Sequence, residues 1–95
     1  MKVLLVAAGT GFLTEDPERS DLFGRHEAYL AALQRLAPGS EMRMLCLGRG
    51  VTPSGWTRRG AFEVAACGLG AAARQLVAPD LFRDWRPDEI GRAHV

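Results

Sequence analysis

"MKVLLVAAGTG" (residues 1–11) decides the fold. Within it, residues 3–8 read VLLVAA, an unbroken apolar run with valine at both 3 and 6. A strand with one wet face alternates apolar and polar residues, whereas a strand covered on both faces is apolar throughout. The run therefore predicts a buried strand of a parallel sheet. Gly9 and Gly11 end it and supply a loop.

Working outward, residues 12–21, "FLTEDPERSD", read as a polar connection. Pro17 after Asp16 can start one helical turn with Asp16 as its cap, and Ser20 or Asp21 can cap the next helix. Leu22, His26, Tyr29, Leu33 and Leu36 then recur at helical spacing, which predicts a helix over 22–36. Pro38 ends it, because proline disfavours helical geometry in its predecessor.

Residues 42–48, "MRMLCLG", predict a second strand of the same buried type, and residues 61–67, "AFEVAAC", a short third one. Between them, residues 49–60 hold three glycines and a proline and read as loop. Residues 71–77 have a helical pattern, and Leu81, Phe82 and Trp85 continue a helical face past Pro79. Arg86, Pro87 and Asp88 end it and lead toward another strand. The alternation of strands and helices predicts an α/β fold: a partial Rossmann-like open parallel sheet with flanking helices and right-handed crossovers. Ligands of such sheets bind at the carboxyl ends of the strands, here "GTG" (9–11) and "GRG" (48–50).

Composition narrows the function. The chain has 95 residues, one small domain's worth, with 12 basic against 11 acidic side chains, so no net field favours nucleic acid or an anionic membrane. Lys2 is the sole lysine and asparagine is absent, a bias of GC-rich coding. Cys46 and Cys67 sit in apolar contexts, match no metal-ligand spacing and read as buried reduced thiols. The apolar run near the N-terminus is too short to span a membrane and is followed by no cleavage pattern. These features predict a cytoplasmic protein with no cofactor and no metal.

Candidate ligand-binding residues are few. Gly9, Thr10 and Gly11 follow a strand, as phosphate-cradling loops do, but no Gly-Lys-Ser/Thr follows and the third position of a dinucleotide fingerprint is Thr14. A plain tight turn is the competing reading. Gly24 inside a helix costs ~1 kcal/mol relative to alanine, so closeness to something is a reason to keep it. Beside it, Arg25 and His26 can hold a phosphate or a sugar hydroxyl. Alternatively, Arg25 is solvated and His26 packs half-buried on the sheet. Trp56, Arg58 and Arg59 offer stacking and charge to an anionic or sugar ligand, or form a solvated loop. Glu15, Asp16, Glu18 and Asp21 read as caps and solvated charges.

Taken together, "MKVLLVAAGTGFL", "DLFGRHEAYLAALQRLAP", "EMRMLCLGRG" and "WRPD" resemble the first part of a GT-B glycosyltransferase of the retaining, glycosyltransferase-family-4 type. The helix matches a subgroup reading roughly D-x-x-G-R-H-x-x-Y, and "GRHEAY" is its best single piece. The resemblance spans residues 1–88, and the common Gly-Gly pair of the first loop is missing. It implies two Rossmann-like domains with the active site between them. The N-terminal domain chiefly receives the acceptor, and the C-terminal one binds the nucleotide-sugar donor through basic residues and a Glu-x7-Glu motif. It further implies that Gly9, Thr10, Gly11, Arg25 and His26 are the substrate-binding positions of this half. The acceptor is a sugar, a lipid or another molecule, and any peripheral membrane association belongs to the parent alone. No catalytic residue is assigned.

Residues 90–95, "IGRAHV", read differently. Back-translated as ATC GGA AGA GCA CAC GTC, they resemble the start of a widely used sequencing-library adapter, whose next codon in frame is a stop. Residues 1–88 are therefore expected to form a truncated Rossmann-like N-terminal domain and residues 89–95 a non-native tail. The fragment itself is expected to be inactive and to expose apolar sheet edge. Two rival readings remain. An NAD(P)-binding oxidoreductase fragment needs an acid at the end of strand two, where the chain has Gly48 and Arg49. The other is a non-catalytic flavodoxin-like binding or receiver module; a receiver needs acids after strand one, where the chain has Ala8, Gly9 and Thr10.

Overall fold

The computed structural model describes residues 1–48, 51–68 and 79–93. In chain order the elements are β1 (Lys2–Ala8), α1 (Gly11–Thr14), α2 (Asp21–Leu36), β2 (Glu41–Gly48), β3 (Ser54–Arg59), β4 (Phe62–Gly68), a 3-10 turn (Pro79–Phe82) and β5 (Glu89–Arg92). The strands form one mixed sheet in the order β3-β4-β2-β1-β5. β1 lies between β2 and β5 and is parallel to both: Ala8 lies opposite Leu47 of β2, and Val6 opposite Arg92 of β5. β2 and β4 are also parallel, while β3 runs antiparallel to β4. From β1 the chain moves to one side through β2 and β4, then crosses to the other side as β5.

Successive side chains of a strand point to opposite faces, so the apolar strands feed two cores. Ala7, Met42, Met44, Cys46, Phe62 and Val64 face the helices, where Phe12 of α1 and Leu22 and Phe23 of α2 meet them. The rings of Phe12 and Phe23 meet edge-on at 5.2 Å, and both are fully buried. Each such side chain contributes ~1.5–3 kcal/mol by burial. Leu4, Leu45, Ala65 and Cys67 face the other way, under Leu81 and Trp85.

The α2 helix starts where its cap chemistry places it. Ser20 Oγ accepts from the Phe23 N–H at 3.3 Å and donates to Glu15 Oε1 at 2.5 Å. Asp21 in the first turn and Arg35 in the last complement the helix dipole. Asp16 closes the preceding turn, its Oδ1 accepting from the Glu18 N–H at 3.1 Å. After the helix, Gln34 Nε2 donates to the Ser40 carbonyl and Ser40 Oγ to the Ala37 carbonyl, steering the chain into β2.

Three expectations are corrected. The predicted loop over 49–60 contains β3, so the sheet is mixed rather than wholly parallel. An edge strand lies largely in solvent and loses the apolar run by which buried strands are read; only Trp56 and Arg59 of β3 are even half-buried. The polar connection over 12–21 is preceded and partly replaced by α1, a single turn too short to show periodicity. Residues 89–92, which the sequence reading gives to the tail, pair as a strand with β1, a placement that does not decide their origin. The face expected to continue through Leu81, Phe82 and Trp85 is one 3-10 turn followed by irregular chain. The helix expected over 71–77 lies outside the described residues. Cys46 and Cys67 are both buried, as expected.

Candidate functional site

The carboxyl edge of the sheet is where the strand order reverses. β2 and β5 lie on either side of β1 there, and the chain leaving β1 turns away at once. Gly9 makes that turn: its N–H still donates to the Leu47 carbonyl at 2.9 Å, but its φ is 116°, which side-chain-bearing residues rarely adopt. A Cβ on Gly9 would meet nothing within 4 Å, so the space beside this backbone is open. Thr10 follows, exposed, with its carbonyl accepting from the N–H groups of Leu13 and Thr14.

Gly11 has a different reason to be glycine. A Cβ there would lie 2.7 Å from Leu22 Cδ2 and 2.9 Å from Glu15 Oε2, so its smallness lets α1 and α2 approach. The α1 carbonyls are held by Arg59, whose Nε donates to the Phe12 carbonyl at 2.8 Å.

A cleft of about 750 Å³ opens beside this turn, lined by Val6, Ala8, Leu47, Ile90, Gly91, Arg92 and Ala93. Its walls are mostly apolar, and among its described lining residues Arg92 is the one charged side chain. Its described lining therefore offers modest chemistry: an apolar floor for a ring or chain and a guanidinium for an anion. Among its described lining residues there is no carboxylate, histidine or cysteine to act as acid, base or nucleophile. The residues of β5 that line it were missed in the sequence, because they were excluded as tail.

Arg25 and His26 lie elsewhere. Arg25 is exposed and lines a separate surface groove with Ser20, Asp21, Gly24 and Ala28. His26 is 1% exposed and sits between Phe12 and Tyr29, with ring centroids 5.0 and 5.3 Å away. Its Nδ1–H donates to the Leu22 carbonyl at 2.7 Å. Neither residue lines the cleft at the carboxyl edge.

The aromatic and basic residues of β3 are also occupied. Trp56 Nε1 donates to the Leu81 carbonyl at 2.7 Å. Arg58 lies 3.8 Å from Glu63. Arg43 of β2 stacks on two indoles, 4.9 Å from the Trp56 ring centroid and 4.6 Å from that of Trp85. This cation–π sandwich has no local signal, since its three members come from separate elements.

Burial raises the Cys46 thiol to about 11, against the weaker opposing pull of a hydrogen bond with the Phe12 backbone and the charge of Arg59. It is a protonated, unreactive thiol at neutral pH. Among the described residues no group of three or more His, Cys, Asp or Glu could hold a metal ion, and no helix is long and apolar enough to cross a membrane. Arg49 and His94 lie outside the described residues. Comparison with protein families, characterised proteins and solved structures finds no match to this chain.

Proposed function

We propose that the chain is the acceptor-side part of a two-domain glycosyltransferase, and that alone it transfers no sugar. The observation that carries the reading is the reversal of strand order at β1. The parallel strands run β4-β2-β1-β5, which in order of appearance is 3-2-1-4, the order of a Rossmann-like sheet whose ligand sits at the reversal. The cleft and the open backbone of Gly9 lie at that point. A cleft whose described lining is apolar with one guanidinium suits the body of an acceptor better than a nucleotide diphosphate. The departing diphosphate of a transfer reaction needs several preorganised positive groups, which in this reading come from a second, nucleotide-binding lobe.

Amide-resolved NMR titration tests the reading. A sugar or lipid-like acceptor is expected to shift the Gly9 and Thr10 amides, while a nucleotide sugar shifts neither and is not turned over. Turnover of any nucleotide sugar by the purified chain, or tighter binding of NADP than of every acceptor tried, would overturn it. The genomic DNA beyond the Asp88 codon supplies an independent check: it is expected to continue into a strand and, later, a Glu-x7-Glu segment.

A further inference from the structure

β5 forms an edge of the sheet: β1 lies on one side, and no described strand on the other. The Ala93 N–H donates to the Val6 carbonyl, which turns the odd-numbered residues from Glu89 onward toward β1, while just before the strand the Asp88 N–H donates inward to the Lys2 carbonyl. Alternate residues of a strand bond to opposite sides, so Ile90 and Arg92 direct their backbone groups outward. Proteins commonly guard such an edge with a bulge or with charge. The far edge, β3, has both: an irregular register between Ser54 and Thr57, and Arg58 and Arg59 at its end. β5 is four residues long and carries Glu89 and Arg92, but it pairs with β1 without a bulge, and between those charges Ile90 is 67% exposed.

We infer that β5 pairs antiparallel with β5 of a second copy of this chain, about a two-fold axis at Ile90, joining the two sheets into one. A two-fold axis perpendicular to the sheet keeps equivalent side chains on the same face, so it must pass through a residue rather than between two. An axis at Glu89 sets Glu89 against its own mate, and an axis at Arg92 does the same with arginine; like charges directly opposite are destabilising. An axis at Gly91 sets Ile90 against Arg92 and pairs no opposite charges. The axis at Ile90 sets each Asp88 opposite Arg92 of the second copy, on the face where the two Ile90 side chains cover each other. The same register matches the outward backbone groups of Ile90 with their mates. Asp88 already accepts from the Lys2 N–H through Oδ2 at 2.8 Å, which leaves Oδ1 for Arg92 of the second copy.

The mass of the full chain in solution, measured by light scattering across a concentration series, tests this. The expected result is a species of twice the 10.3 kDa chain mass. Ile90→Lys puts two ammonium groups on the axis, and Ile90→Pro removes an outward N–H; both are expected to give monomer with the helical circular dichroism retained. Ile90→Cys under mild oxidation is expected to give a covalent dimer, because directly opposite Cα atoms ~5.5 Å apart lie within disulfide reach. Cys46 and Cys67 are buried and do not compete. Arg92→Cys, off the axis, is expected not to crosslink to itself. The crosslinking pair decides the matter even if a monomeric variant unfolds. A chain monomeric at every concentration, open-ended aggregates in place of dimer, a dimer that survives Ile90→Lys, or equal crosslinking at 90 and 92 would overturn the inference.

Discussion

The guanidinium of Arg59, at the end of β3, donates from Nε to the Phe12 carbonyl at 2.8 Å and from Nη2 to the Glu15 carbonyl at 2.6 Å. A helix leaves its last carbonyls without partners, and a one-turn helix has little else to hold it. Arg59 therefore anchors α1, and with it the turn at Gly9, to the far edge of the sheet. Arg59→Ala is expected to cost ~2–3 kcal/mol, the scale of charge-assisted hydrogen bonds discounted for partial exposure. Arg59→Lys, which lacks the fork, should recover only part of that. Urea unfolding of the two variants checks the order; equal stability of Arg59→Ala and the parent chain would contradict the anchor.

Arg43 ties β2 to β3 and to the segment after the 3-10 turn through the two indoles it touches. Arg43→Met keeps most of the stem and removes the charge. It is expected to lose ~1–2 kcal/mol and to shift tryptophan emission, since a cation over an indole alters its surroundings. Unchanged emission would show that the stack does not persist in solution.

The glycines of the helical region separate by what surrounds them. A Cβ on Gly24 meets nothing within 4 Å, so Gly24→Ala is expected to stabilise α2 by ~0.5–1 kcal/mol. Gly11→Ala forces Leu22 and Glu15 to move and is expected to destabilise by ~1–3 kcal/mol. Thermal melts of the pair should move in opposite directions.

The Cys46 thiol gives stability an alkaline limb. Its folded value is raised from 9.0 to about 11. Below the lower value both states hold the proton and stability does not depend on it. Between the two, the unfolded chain releases its proton while the folded chain keeps it, so stability falls as pH rises. The loss is at most ~2–3 kcal/mol. Cys46→Ala should flatten this limb relative to the parent chain, and the native protein should react slowly with a thiol reagent at pH 8. Rapid labelling of Cys46 in the folded state would refute the burial.

Arg25 and His26 adjoin in sequence but have opposite environments. His26→Ala empties a buried ring site and is expected to cost ~2–4 kcal/mol, in the range of large-to-small core changes. Arg25→Ala, on the exposed face of α2, should stay within ~0.5 kcal/mol of the parent chain. Denaturant midpoints distinguish them; a large loss for Arg25→Ala would mean that its guanidinium has a structural partner.

Local pattern alone determined β1, β2, β4 and α2, because their side chains announce which faces are covered. Residues 3–8 and 42–48 are apolar almost without interruption, Arg43 being the exception, and the serine before α2 caps it in the structure as its chemistry requires. The burial of both thiols follows from the same kind of run. The hairpin of β3 and β4 had one legible signal, the Gly60–Ala61 turn with Gly60 at φ 59°, but glycine-rich neighbours masked it.

The rest was decided by partners distant in the chain. α1 is held by Arg59, β3 by its ladder to β4, and β5 by the open side of β1. His26 is buried because Phe12 lies against it, not because of its own helix. Periodicity reports the environment of side chains, whereas an edge strand or a single helical turn is stabilised by backbone and capping hydrogen bonds that many sequences can make. Only the folded arrangement of the sheet specifies where those bonds are available.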